Sequence, residues 1–212
     1  MNSITVSSTV LNSVLLKFYK SYPQIKLNLL VNNTSIIENS ILENKLDIAL
    51  VEGKTKSENL KVINVMKDEV VFVCGMDNKM AHKKSITLEE IASCALNLRE
   101  EGSGTRKELL TAFKAKNINN LNIVGESSSY EAIIKAVKVN LGVSVLSKRL
   151  VIEDFQKGDI WMCPISDFNS ERKFSIIYHK DKFLSDDMNL FIKNCTEVAS
   201  YYQMLINNKK DN

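Results

Sequence analysis

Short apolar runs of strand type alternate with runs of helical spacing from the first residues of this chain onward. Residues 4–7 read as a brief strand, and Ser8 and Thr9 as caps of a helix that carries Val10, Val14, Leu15 and Phe18 until Pro23 stops it. Residues 25–31 alternate as a strand does, Thr34 and Ser35 open a second helix with Ile37, Ile41 and Leu42 on one side, and residues 47–51 form a third short apolar run. Strand, helix, strand, helix, strand within about fifty residues requires parallel strands joined by crossover helices, which is an α/β architecture.

The pattern then repeats. Residues 60–66 and 69–74 read as further strands, followed by a polar stretch over residues 75–85 that marks a candidate domain boundary. Beyond it Thr87 and Glu90 stand at capping-box spacing. Strands are predicted over residues 95–99, 121–126, 143–146, 160–165 and 174–178, and helices over 104–116, 128–139 and 147–151. A last helix from Asp186 to about Leu205 places Met188, Phe191, Ile192, Cys195, Val198, Ala199 and Tyr202 on one face.

Composition excludes several classes. With 44% apolar and 25% charged residues in 212, the chain can bury a sizeable core and is neither disordered nor fibrous. A formal net charge of +3 without a basic cluster offers no electrostatic footprint for nucleic acid, so DNA binding would have to lie in sequence outside this chain. No secretory signal opens it and no apolar stretch approaches the roughly 20 residues that span a bilayer, so a cytoplasmic protein with no membrane partner is expected. Cys74, Cys94, Cys163 and Cys195 lie at least twenty residues apart with only His82 and His179 for company. Buried reduced thiols are expected there, with no metal site and no cofactor.

Three helix starts carry hydroxyl residues after a strand: Ser8 and Thr9, then Ser103, Gly104 and Thr105, then Ser127, Ser128 and Ser129. Each brings unpaired backbone amides and the positive end of a helix dipole, which suit a carboxylate, sulfate or phosphate. Thr34 and Ser35 are a fourth candidate. Taken singly, each hydroxyl is better explained as a simple helix cap. Gly102 and Gly104 around Ser103 add close backbone access for a ligand. Arg99 can pair either with a ligand carboxylate or with Glu100 or Glu101, and Glu126 can select an amino group or simply stay solvated. No nucleophile elbow, dinucleotide fingerprint or P-loop occurs and no serine or cysteine has an evident base, so no catalytic residues are expected.

Several segments resemble the effector-binding (substrate-binding) domain of LysR-type transcriptional regulators. They are Leu98-Arg99-Glu100-Glu101-Gly102-Ser103-Gly104-Thr105-Arg106, Tyr22-Pro23, the strand from Leu46 to Gly53, and the runs from Ser127 to Val137 and Leu141 to Ser147, all in collinear order. The helix between Thr9 and Pro23 departs from the family by being about one turn shorter. The resemblance implies two Rossmann-like αβ subdomains joined by two crossover strands, as in type II periplasmic binding proteins. Subdomain I would take residues 1–72 plus 175–212 and subdomain II residues 75–173, with hinge strands near 70–74 and 174–178. It further implies a small, anionic effector held in an interlobe cleft by Ser8, Thr9, Thr34, Ser35, Arg99, Ser103, Gly104, Thr105, Ser127 and Ser128. It also implies a homodimer or tetramer, and contact with DNA only through an N-terminal winged helix-turn-helix lying outside this sequence. A face of the first helix bearing Val10, Val14 and Phe18 is either a subunit contact or core. The rival reading on the same fold is a solute-binding protein that serves a transporter.

Overall fold

A computed structural model describes residues 2–53, 55 and 57–208. In chain order its elements are β1 (Asn2–Ser3), α1 (Ile4–Val6), a π-helical segment (Ser7–Leu11), α2 (Asn12–Ser21), β2 (Val31–Asn32), α3 (Thr34–Leu42), β3 (Ala49–Glu52) and β4 (Leu60–Gly75). Then follow α4 (Leu88–Ala92), β5 (Ala95–Arg99), α5 (Gly104–Ala115), β6 (Asn122–Ser127), α6 (Tyr130–Lys138), β7 (Ser144–Ser147), α7 (Lys148–Gln156), β8 (Ile160–Cys163), β9 (Glu171–His179) and α8 (Asp186–Asn208). The chain divides into two compact units, Met1–Lys67 with Arg172–Asn212 and Asp68–Glu171, and so passes out within β4 and returns at the start of β9.

In the first unit β1 pairs in parallel with β2 and β3, and β3 pairs antiparallel with β9 from Ala49↔Ile177 to Glu52↔Phe174. The strand expected over residues 4–7 is instead helical, with α1, the π segment and α2 following without a break. Val6, Val10, Val14 and Phe18 are all buried at four-residue intervals, and that periodicity overrides the brief β-like alternation. The first-helix face carrying Val10, Val14 and Phe18 is therefore core, while Leu16 and Tyr19 are the exposed apolar side chains of α2. The strand expected over residues 25–31 shrinks to Val31–Asn32, because β1 offers only Asn2 and Ser3 as described ladder partners. Leu27, Leu29 and Leu30 consequently remain exposed. The α8 face is as read: Cys195, Val198 and Ala199 are buried in the core, with Met188, Phe191, Ile192 and Tyr202 packed on it.

In the second unit residues 70–75 of β4 pair antiparallel with β7 and β8, with Val70↔Ser147 and Phe72↔Cys163 in register. β5 and β6 form a parallel pair ending at Arg99↔Ser127, with a register shift between Leu96 and Asn97. The two strands read at residues 60–66 and 69–74 are one continuous β4, and the polar stretch after it folds back so that Met80 and Ile86 enter the core. Thr87 and Glu90 form the reciprocal capping box at the start of α4. α7 extends beyond the predicted residues 147–151 to Gln156, since Val151 is buried and Phe155 packs against the same cluster. Asp68, fully enclosed, accepts a 2.8 Å hydrogen bond from Ser147 Oγ and lies 3.8 Å from Arg149 Nε.

Candidate ligand-binding loops

Two strand ends of the second unit run side by side into helix starts. β5 delivers Arg99 next to Ser127 of β6, which places the loop before α5 and the loop before α6 on neighbouring strands. Such carboxyl ends of parallel strands are where open α/β sheets bind ligands.

The loop before α5 turns at Gly102, whose φ of +87° lies in the region glycine favours, and closes with a 3.1 Å hydrogen bond from Ser103 N to Glu100 O. Ser103 is the N-cap of α5, yet its hydroxyl makes no capping bond. The residue is 2% exposed, and its Oγ has no hydrogen-bond partner. Buried hydroxyls are normally paired, so Ser103 stands apart from an ordinary serine N-cap. Thr105 is also buried, and Gly104 sits between them at the first helical position.

Arg99 is equally enclosed. Its Nε and Nη2 donate to the two oxygens of Glu100 at 2.9 and 3.2 Å, while Nη1 is buried without a partner. The pairing of Arg99 with Glu100, one of the two alternatives open from sequence, is thus present. Arg106, at the third position of α5, reaches back to brace the strand ends, with Nη1 donating to Arg99 O at 3.2 Å and lying 2.5 Å from Glu126 Oε2. Glu126 is therefore ion-paired, which is neither of the two alternatives open from sequence. The signal was available, as a long basic side chain one turn after a glycine-rich helix start.

At the start of α6 the hydroxyls are partly spent. Ser127 Oγ accepts from Ser129 N at 3.0 Å, and Ser129 Oγ accepts from Ala132 N at 3.2 Å while donating to Glu131 Oε2 at 2.8 Å. Ser128 is exposed. Burial opposes ionisation of Glu131, but hydrogen bonds from its own amide, Tyr130 and Ser129, together with the Arg99 charge, outweigh it and hold the carboxyl below its ordinary range.

In the first unit Thr34 opens α3 behind the N-cap Asn33, whose side chain accepts from Ile36 N at 3.0 Å. Thr34 is buried with its Oγ1 unpartnered, and Ser35 is exposed. Ser8 and Thr9 do not start a helix: they lie inside the π segment, and Thr9 Oγ1 donates back to Thr5 O at 2.9 Å. The helix-start argument therefore applies to three of the four hydroxyl-bearing segments.

A hollow of about 430 Å³ opens elsewhere in the second unit, lined by Asp77, Lys79, Cys94, Asn140 and Gly142 among others. It lies by Ala95, at the other end of β5 from Arg99. None of its lining side chains is a buried polar group without a partner.

The second unit thus combines parallel β5 and β6 with helix starts at their carboxyl ends, and it buries one hydroxyl and one guanidinium nitrogen that have no hydrogen-bond partner. A family model for the LysR substrate binding domain matches residues 3–200, and the chain belongs to that family. Its fold is the type II periplasmic-binding-protein-like α/β fold expected from sequence. Among curated relatives it is 28% identical over 193 residues to the HTH-type transcriptional regulator YeiE of Escherichia coli (strain K12), covering 91% of this chain and 65% of that protein. It is 27% identical over 201 residues to CysL of Bacillus subtilis (strain 168), covering 95% of this chain and 66% of that one. The chain thus spans about two thirds of the length of these regulators. The regulatory domain of CcmR from Synechocystis PCC6803, solved in complex with 2-PG, superposes with a TM-score of 0.84 at 25% identity, covering 93% of this chain and 95% of that one. The effector binding domain of QuiR, in complex with shikimate, shares the fold with a TM-score of 0.80 at 19% identity over 94% and 95% of the two chains. Among the described residues no helix is long and apolar enough to cross a membrane.

Proposed function

We propose that this chain is the effector-sensing part of a LysR-type transcriptional regulator and that a small anionic molecule binds at the loops before α5 and α6. The observation that carries this is a pair of buried donors without partners on one loop, Ser103 Oγ and Arg99 Nη1. An unfilled buried donor costs about 1–3 kcal/mol, so such groups persist where a ligand completes them. The backbone amides of two helix starts add positive potential for an anion. Gly104, Thr105, Ser127 and Ser128 line those loops, and Thr34 and Ser35 are the matching helix start of the first unit. The CcmR regulatory domain, 25% identical to this chain, carries 2-PG, which is a precedent for a small-molecule effector.

The chain acts in the cytoplasm as a non-catalytic sensor in a homodimer or tetramer and reaches DNA through an N-terminal helix-turn-helix. Support for self-association comes from consecutive exposed apolar side chains, Leu29 to Val31 in the first unit and Ile123 with Val124 in the second, rather than from scattered single ones. Its relatives are transcriptional regulators, which favours this reading over a solute-binding protein for a transporter. An effector shifts the regulator only by its differential affinity for two arrangements of the protein.

A thermal-shift screen with sulfate, phosphate, 2-PG, shikimate and acetylated amino acids tests the site. A ligand at 100 times its Kd stabilises the fold by about 2.7 kcal/mol. The stabilisation is expected in the wild type and lost in Ser103→Ala; hits indifferent to that substitution, or none at all, would overturn the assignment.

A further inference from the structure

Arg99 is 2% exposed, and the hydrogen bonds of its guanidinium to a side chain all go to one carboxylate, with the Glu131 charge acting on it without such a bond. Nε and Nη2, the side edge of the guanidinium, hold both oxygens of Glu100, its own chain neighbour. A ligand carboxylate or phosphate seeks the same two parallel N–H donors, so the chain's own carboxylate occupies an edge that an anion would use. The two partners differ in freedom. The Arg99 side chain is 2% exposed and that of Glu100 is 16% exposed, so the acid sits nearer water and is the one able to leave. Ser103 Oγ, on the same loop, waits without a partner.

We propose that Glu100 is an internal competitor of the effector: it holds Arg99 in the empty domain, and an anionic group of the effector replaces it on the guanidinium while taking the Ser103 hydroxyl. This rests on the effector-site reading given above. Exchange of one carboxylate for another anion keeps the buried guanidinium paired, which removes the penalty of leaving it bare. The observed affinity is then the intrinsic one reduced by the fraction of molecules in which Glu100 is off. A neutral ligand cannot replace the charge and is excluded by the same contact, so Glu100 sets selectivity for anions as well as affinity.

Calorimetric titration of the whole chain with phosphate, sulfate and 2-PG, in the wild type, Glu100→Gln and Arg99→Gln, tests this. Glu100→Gln is expected to bind an anion about tenfold tighter, equivalent to about 1.4 kcal/mol. Its unliganded melting temperature should fall below the wild-type value and the gap should close at saturating anion, whereas glycerol should change neither quantity. Arg99→Gln should lose binding. If Glu100→Gln does not fold, Glu100→Asp, which keeps the charge but is too short for the two-point pairing, should show a smaller gain. Binding by either Glu100 variant that equals or falls below wild type overturns the proposal. Wild-type binding that depends on Ser103 together with weaker binding by Glu100→Gln would leave the effector site standing and remove only the competitor. Absence of anion binding in every variant would remove both.

Discussion

Gly125 lies directly against Asn97: a Cβ added at Gly125 would stand 2.3 Å from Asn97 Oδ1. Asn97 cannot retreat, because it is buried, its Nδ2 donates to Leu141 O at 2.6 Å and its carbonyl accepts from Ser144 Oγ at 2.7 Å. This contact sits at the register shift of the β5–β6 pair that carries Arg99 and Ser127 to the ligand loops.

Gly125→Ala should therefore destabilise the protein by about 1–3 kcal/mol, the usual cost of overpacking a close-packed site. Urea denaturation measures it. Asn97→Ala in the same background should recover part of the loss, so that the double-mutant cycle is non-additive. Strict additivity would show that the Asn97 side chain is not the obstacle.

Ser103→Ala should leave the unliganded protein as stable as the wild type, or more stable by up to about 1 kcal/mol, because the hydroxyl it removes is buried and unpaired. An ordinary serine N-cap behaves oppositely, losing about 1 kcal/mol on the same change. Melting curves without ligand discriminate the two. A drop of the ordinary size would mean that the Ser103 hydroxyl is engaged as a cap.

The cysteines predict a dependence on alkaline pH. Burial, followed by the neighbouring thiols Cys163 and Cys94, pushes the Cys74 thiol up to about 12, and burial does the same for Cys195. Their folded-state values exceed the ordinary thiol value of about 8.5, so the unfolded chain releases these protons first. The stabilisation is complete below about pH 8.5 and is lost as pH rises toward 12. Denaturation midpoints should fall between pH 8 and pH 10, and Cys195→Ala should make the fall shallower. Native protein should also resist iodoacetamide at pH 8 until urea is added; rapid labelling in the native state would contradict the burial.

How far the sequence carried the fold shows in particular elements. β5 was legible at residues 95–99 and the α4 capping box at Thr87 and Glu90, because apolar period and cap chemistry act over one or two turns. Residues 4–7 misread because four residues are too few to separate alternation from a helical face, and only the burial of Val6 in line with Val10 and Val14 decides it. Residues 26–30 misread because a strand exists only where a partner strand lies beside it, and β1 supplies two positions.

The site divides the same way. The residue types of the Ser103 loop and their place between a strand and a helix were set by the sequence itself, since glycine, serine and helix-start amides dictate local geometry wherever they occur. That Arg106 pairs with Glu126, and that Ser103 Oγ and Arg99 Nη1 are buried with nothing to bond, was decided by tertiary structure alone. A side chain's partner and its access to water depend on what distant segments bring beside it, and no local pattern encodes that.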